Sequence, residues 1–142
     1  MTFLLDVNVL IALMDPTHVS HDTAHRWFER EGAVSWATCP ITANAVVRIV
    51  GNPKYPNTPG SPAAVADLLQ RFTARTGHVF WSDDVNLLDG RYVDTGKLLT
   101  SGQITDTYLL ALAVAHGGRL ASLDRRLSVA AVHGGKDGLQ LI

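Results

Sequence analysis

The sequence predicts an α/β domain, a three-layer α/β/α arrangement with a mainly parallel central sheet. Three observations point there. Short apolar or β-rich runs recur along the 142 residues, longer stretches with helical spacing lie between them, and the two kinds alternate. Strands separated by helices are joined by crossovers, which makes them parallel and covers both sheet faces.

The elements follow in order. The first strand is expected over Thr2–Leu5, running directly into Asp6. Helical spacing then appears over Thr23–Arg30, a strand over Ala33–Trp36 and a helix over Thr42–Val50. From Gly51 to Pro62 lie four of the six prolines. Proline fixes φ and removes a backbone donor, so this reads as a stiff loop, either a plain connector or a rim for a ligand or partner. A helix over Ala63–Ala74 leads to a strand over His78–Trp81. One or two helices are expected over Val85–Leu99, with Asp83-Asp84 as a cap. The helix over Thr105–His116 is stopped by Gly117-Gly118, and strands over Arg119–Leu123 and Leu139–Ile142 complete the sheet. Trp27, Trp36 and Trp81 are expected to fill the core.

The chain is expected to form one domain over residues 1–142, since 15.3 kDa leaves no room for a second. It is 46% hydrophobic and 18% charged, which excludes a disordered chain. A formal net charge of -1 excludes a global basic field, so any attraction for nucleic acid must be local. Cys39 is the only cysteine, which rules out an internal disulfide or a cysteine-rich zinc site and suits a reducing compartment. The N-terminus lacks a basic start and a long apolar core, and no stretch approaches the roughly 20 apolar residues of a membrane span. A cytoplasmic protein without a membrane role is expected.

Three acids stand out by position. Asp6 directly follows the first strand, Asp124 lies just beyond the strand ending near Leu123, and Asp106 opens a helix. The carboxyl edge of an open parallel sheet is where ligand crevices form. Each acid also has a plainer reading, as a cap of Val7–Met14 for Asp6, a helix cap for Asp106, and a cap or surface ion pair for Asp124. If the three converge, repulsion decides the chemistry: two carboxylates about 4 Å apart repel by about 4 kcal/mol at an effective dielectric near 20. Such a group takes up protons or binds a cation, and oxygen ligands select Mg²⁺ or Mn²⁺. Phosphodiester hydrolysis suits that ion. Asn8 could add an amide oxygen or a hydrogen bond.

These residues carry a resemblance. Phe3-Leu4-Leu5-Asp6-Val7-Asn8-Val9-Leu10-Ile11, Ile104-Thr105-Asp106-Thr107-Tyr108-Leu109-Leu110-Ala111-Leu112-Ala113 and Ser122-Leu123-Asp124-Arg125-Arg126-Leu127 resemble the acidic blocks of PIN-domain toxins of the VapC type. The resemblance runs end to end. It implies a PIN-like fold and an Mg²⁺- or Mn²⁺-dependent endoribonuclease, the toxin of a toxin-antitoxin pair. It further implies a homodimer, a VapB-type antitoxin and an RNA substrate, with metal ligands Asp6, Asp106 and Asp124 supported by Asn8 and Thr105. Arg125 and Arg126, beside the last acid, could meet phosphate or form an ordinary solvated face. Family members carry a glutamate at the start of the helix after the second strand. Here Pro40-Ile41-Thr42-Ala43-Asn44 places Ala43 at that catalytic position, and no acid occurs from Thr42 to Gly51. The alanine reads as an engineered silencing substitution or a natural loss, and implies an impaired enzyme.

Two other classes remain in view. A non-catalytic module that binds an antitoxin or dimerises is favoured by Ala43. A phosphatase or receiver domain would use Asp6 as a phosphate acceptor, but Asn8 stands where a second aspartate is needed and no lysine follows a late strand. His21 and His25, at i and i+4 with His18 nearby, have zinc-like spacing but no evident further ligand.

Overall fold

The computed structural model describes residues 1–142. Five strands form one sheet: β1 (Phe3–Leu5), β2 (Trp36–Thr38), β3 (His78–Phe80), β4 (Arg119–Ser122) and β5 (Leu139–Leu141). The helices are α1 (Val7–Met14), α2 (His21–Arg30), α3 (Pro40–Val50), α4 (Pro62–Thr73) and α5 (Ile104–Ala115). Every strand pair is parallel and the order is β3-β2-β1-β4-β5. The chain therefore builds outward from β1, then returns to lay β4 on its other side. The order reverses between β1 and β4, and the carboxyl edge there is the natural crevice.

Strand alternation divides the core into two layers. Phe3, Leu5, Trp36 and Ala121 face one side, where they pack with Val9, Leu10, Trp27, Phe28 and Val46 of the helices. Leu4, Ala37 and Leu120 face the other, against Leu109, Leu112, Val93 and Val132. Trp27, Trp36 and Trp81 are all buried, as expected. Gly118 lies at the handover from α5 to β4, where a Cβ would sit 2.3 Å from the Thr2 carbonyl oxygen. Only glycine lets β4 approach β1 so closely.

Two expectations fail. Val85–Leu99 forms no α-helix, only turns and a short 3₁₀ segment over Thr95–Lys97. Three side chains supply the reason: Asn86 accepts from the Leu88 N–H at 2.9 Å, Asp89 from Arg91 at 3.0 Å and Asp94 from Gly96 at 3.1 Å. These local bonds outcompete helical ones, while Val85 and Val93 still reach the core. Asp83-Asp84 consequently caps no helix. The strand expected over Ala33–Trp36 begins instead at Trp36, because Gly32–Val34 closes α2 in a 3₁₀ turn and Phe3 pairs with Trp36.

The proline-rich loop is anchored. Asp15, buried at the end of α1, accepts hydrogen bonds from the Tyr55 hydroxyl, the Asn57 amide and Thr17. Burial would raise the Asp15 carboxyl, but these donors outweigh it and hold it below its ordinary range. Burial and the adjacent carboxylate push the Tyr55 hydroxyl up to about 12. The stabilisation from Asp15 is thus present above its ordinary value and lost as acid titrates it; that from Tyr55 is present below 10 and lost as the pH rises through about 12. We predict that Tyr55→Phe lowers stability by about 1–2 kcal/mol, as for a partly exposed bond to a charged group. Urea unfolding at neutral pH measures it, and an unchanged midpoint would mean that the tie contributes nothing.

Candidate active site

Asp6 continues the β1 ladder, its N–H donating to the Ala121 carbonyl at 3.0 Å, before the chain turns into α1. Its extended backbone makes it the N-cap, with the carboxylate accepting from the Val7 N–H at 2.8 Å. Capping and a place in the site are therefore one arrangement. The Ser122 hydroxyl donates to Asp6 Oδ2 at 2.7 Å, and Asn8 Nδ2 lies 3.3 Å from the same oxygen. Asn8 Nδ2 also reaches Ser122 Oγ at 3.2 Å, while its Oδ1 accepts from the Leu123 N–H at 3.1 Å. Both ends of this amide are engaged, so Asn8 supports Asp6 by hydrogen bonding. Ser122 Oγ further accepts from the Asp124 N–H at 3.1 Å, and Asp124 Oδ1 from the Arg126 N–H at 2.9 Å.

The sequence alone marks no role for Ser122. It is wholly buried and touches Asp6, Asn8 and Asp124 together. The available signal was a serine at an inward position of a strand, two residues before the acid.

Electrostatics links the three acids. Burial pushes the Asp6 carboxyl up, opposed by the Ser122 and Val7 hydrogen bonds and reinforced by repulsion from Asp124. Burial, then repulsion from Asp6 and Asp124, pushes Asp106 up to about 6. Asp106 lies in the first turn of α5, but Gln103 is the N-cap position, so the capping alternative fails for Asp106. As the side chains stand, no three histidine, cysteine, aspartate or glutamate groups are close enough to hold an ion. The donor chemistry nevertheless suits a hard divalent cation, since all donors are carboxylate oxygens that destabilise one another.

The remaining expected residues are dispersed around this edge. Ala43 is half-buried in the first turn of α3, packed on the core layer that contains α1. Thr105 is exposed beside Asp106, and Arg125 and Arg126 are exposed after Asp124. Asp84 pairs with His116 at 3.0 Å, whose ring stacks on Trp81. Burial, partly offset by the Cys39 thiol, raises the Asp83 carboxyl. His21 Nδ1 donates to the Ala12 carbonyl at 2.7 Å and His25 faces Glu29 at 3.7 Å, and no set of three metal-ligating side chains gathers around them.

The PIN domain family model matches residues 3–132. The chain belongs to the PIN domain family. Ribonuclease VapC44 of Mycobacterium tuberculosis is 46% identical to this PIN domain over 134 residues, 94% of each chain. Ribonuclease VapC39 of the same organism is 43% identical over 134 residues, covering 94% of this chain and 96% of the relative. These likenesses place the PIN domain among the VapC proteins. Its fold is shared with VapBC2 from Rickettsia felis, solved with a promoter DNA fragment, at a TM-score of 0.61 and 13% identity over 100% and 99% of the two chains. It is also shared with the sarcin-ricin loop cleaving toxin VapC20 of M. tuberculosis, at 0.62 and 11% identity over 92% and 96%.

Two outcomes are expected of this PIN domain. Ser122→Ala leaves the buried Asp6 short of a donor and should cost about 1–3 kcal/mol, read by urea unfolding. Because the folded value of Asp106 is raised, its contribution is complete below 3.8 and lost as the pH rises through about 6. Asp106→Asn should therefore flatten the fall in stability across that interval, measured in EDTA. An equally steep fall in the variant would show that Asp106 does not sense its neighbours.

Proposed function

We propose that this VapC-family chain is built as an Mg²⁺- or Mn²⁺-dependent endoribonuclease, the toxin of a toxin-antitoxin pair, and that Ala43 impairs it. The observation that carries the reading is the mutual repulsion of Asp6, Asp106 and Asp124 at the point where the sheet order reverses. Asp6, Asp106 and Asp124 would hold the ion. When bound, it supplies Lewis-acid activation of water and charge stabilisation for phosphodiester cleavage.

The chain's own groups have separate tasks. Asp6 is oriented by Ser122, Asn8 and the Val7 N–H, so its carboxylate is fixed before any ligand arrives. Asp106 gives up its proton near pH 6, which makes it anionic at neutral pH and ready for a cation. Arg125 and Arg126, exposed beside Asp124, suit phosphates flanking the scissile bond. A glutamate at 43 would add a carboxylate to this edge, where its Oε atoms could take a proton from the attacking water. Alanine cannot.

A VapB-type antitoxin and a homodimer complete the reading. VapC-like neighbours include the toxin-antitoxin complexes VapBC2 and FitAB. An open groove of about 330 Å³ between α1, α2 and α4, with Leu13, Phe28 and Phe72 inside and Arg71 and Arg75 at its edge, suits an amphipathic segment. No helix is long and apolar enough to cross a membrane. A second reading, a non-catalytic module that keeps only partner binding, is favoured by Ala43 itself.

The test is restoration. Ala43→Glu should yield RNA cleavage that needs Mg²⁺ or Mn²⁺ and is abolished by EDTA, exceeding the present chain by about 10²–10⁴-fold, the usual contribution of a positioned base. Ala43→Gln should not. A folded Ala43→Glu protein that cuts no cellular RNA with either metal would leave the binding module as the better account.

A further inference from the structure

Between α3 and the start of α5, where Thr105 precedes Asp106, lies an open pocket of about 340 Å³ whose wall includes Ile41, Asn44, Arg48, Asp83 and Thr105. Three elements build it. Asn44 and Arg48 stand one helical turn apart on the exposed face of α3, Asp83 follows β3 at the carboxyl edge of the sheet, and Thr105 immediately precedes Asp106. Asn44, Arg48 and Thr105 make no side-chain hydrogen bond or ion pair within the chain. Their donors and acceptors are therefore available to a ligand. Its size falls within the range of roughly 300–1,000 Å³ typical of small-ligand sites.

We propose that this pocket receives a single-stranded nucleotide next to the phosphodiester at the carboxylates, and that it selects guanine through Asp83 with Arg48 on the flanking phosphate. The inference rests on the ribonuclease reading above. An ionised carboxylate only accepts hydrogen bonds, and a guanidinium only donates them. The Watson–Crick edge of guanine presents two adjacent donors, the N1–H and the N2 amino group, which match two carboxylate oxygens. Uracil sets one donor between two carbonyl acceptors that a carboxylate repels. Adenine and cytosine each offer one amino group beside an unprotonated ring nitrogen. Arg48 matches phosphate in a planar, two-pronged geometry. The apolar surface of Ile41 offers a face for the base, and Asn44 and Thr105 supply groups that can donate or accept.

Binding tests this without cleavage. The full chain as it stands is titrated, in EDTA and in Mg²⁺, against fluorescein-labelled hexauridylate and against hexamers carrying one guanine, adenine or cytosine, with anisotropy as the readout. The guanine hexamer should bind at least about 5-fold tighter than hexauridylate, the low end of discrimination by one two-bond base contact. Asp83→Asn should abolish that preference, and Arg48→Ala should weaken all four hexamers alike and reduce the salt slope by about 1. Both residues are exposed, so the variants should fold; circular dichroism verifies this. Equal affinity for the four hexamers, or a guanine preference that survives Asp83→Asn, overturns the proposal. Cleavage by the Ala43→Glu protein separates the two readings. Guanine-selective binding without cleavage keeps the pocket and removes the nuclease, whereas cleavage without selective binding does the reverse.

Discussion

The hydrogen bond from Ser122 to Asp6 is the joint on which this structure depends. It links the end of β1 to the end of β4, two strands separated by most of the chain and adjacent only because the sheet order reverses between them. One buried hydroxyl serves several purposes there. It satisfies a carboxylate that would otherwise be buried without enough donors, receives the Asp124 N–H, and meets the Asn8 amide that clamps Leu123. Burying a charge is costly unless it is hydrogen-bonded, and this cluster supplies that compensation where the site needs a fixed carboxylate.

Compensation is incomplete by design of the fold. Asp6 is well supplied with donors, yet burial and repulsion from Asp124 raise its proton affinity, and burial with repulsion from Asp6 and Asp124 raises that of Asp106. The domain therefore carries an electrostatic cost at neutral pH, which the divalent cation proposed above would relieve. On the reading proposed above, that same cost makes alanine in place of a glutamate at position 43 compatible with an intact fold. Alanine suits a helix and packs against the core layer shared with α1, and its presence lessens the negative charge at this edge.

On the far side of the sheet, α5 covers part of the second core layer and an irregular segment covers the rest. Val85, Val93 and Val132 seal it, with Val93 bridging Val132. Asp83, just after β3 at the carboxyl edge of the sheet, lines the same pocket as Asn44 and Arg48 of α3 and Thr105 of α5.

The sequence by itself determined the alternation of strands and helices, the parallel sheet, the two core layers and the positions of Asp6, Asp106 and Asp124. These follow from side-chain periodicity and from the acids' places in matching family blocks, both local properties of the chain. It misjudged Val85–Leu99, because apolar spacing there resembles a helix while Asn86, Asp89 and Asp94 turn the backbone by bonding to it. Tertiary structure alone decided that Ser122 bonds to Asp6, that Asn8 is a brace with both amide ends occupied, and that Asp106 feels two other carboxylates. Residues 6 and 122 are 116 positions apart, and the strength of a hydrogen bond or a charge interaction depends on distance through space. No spacing along the chain encodes that distance until the strands are laid side by side.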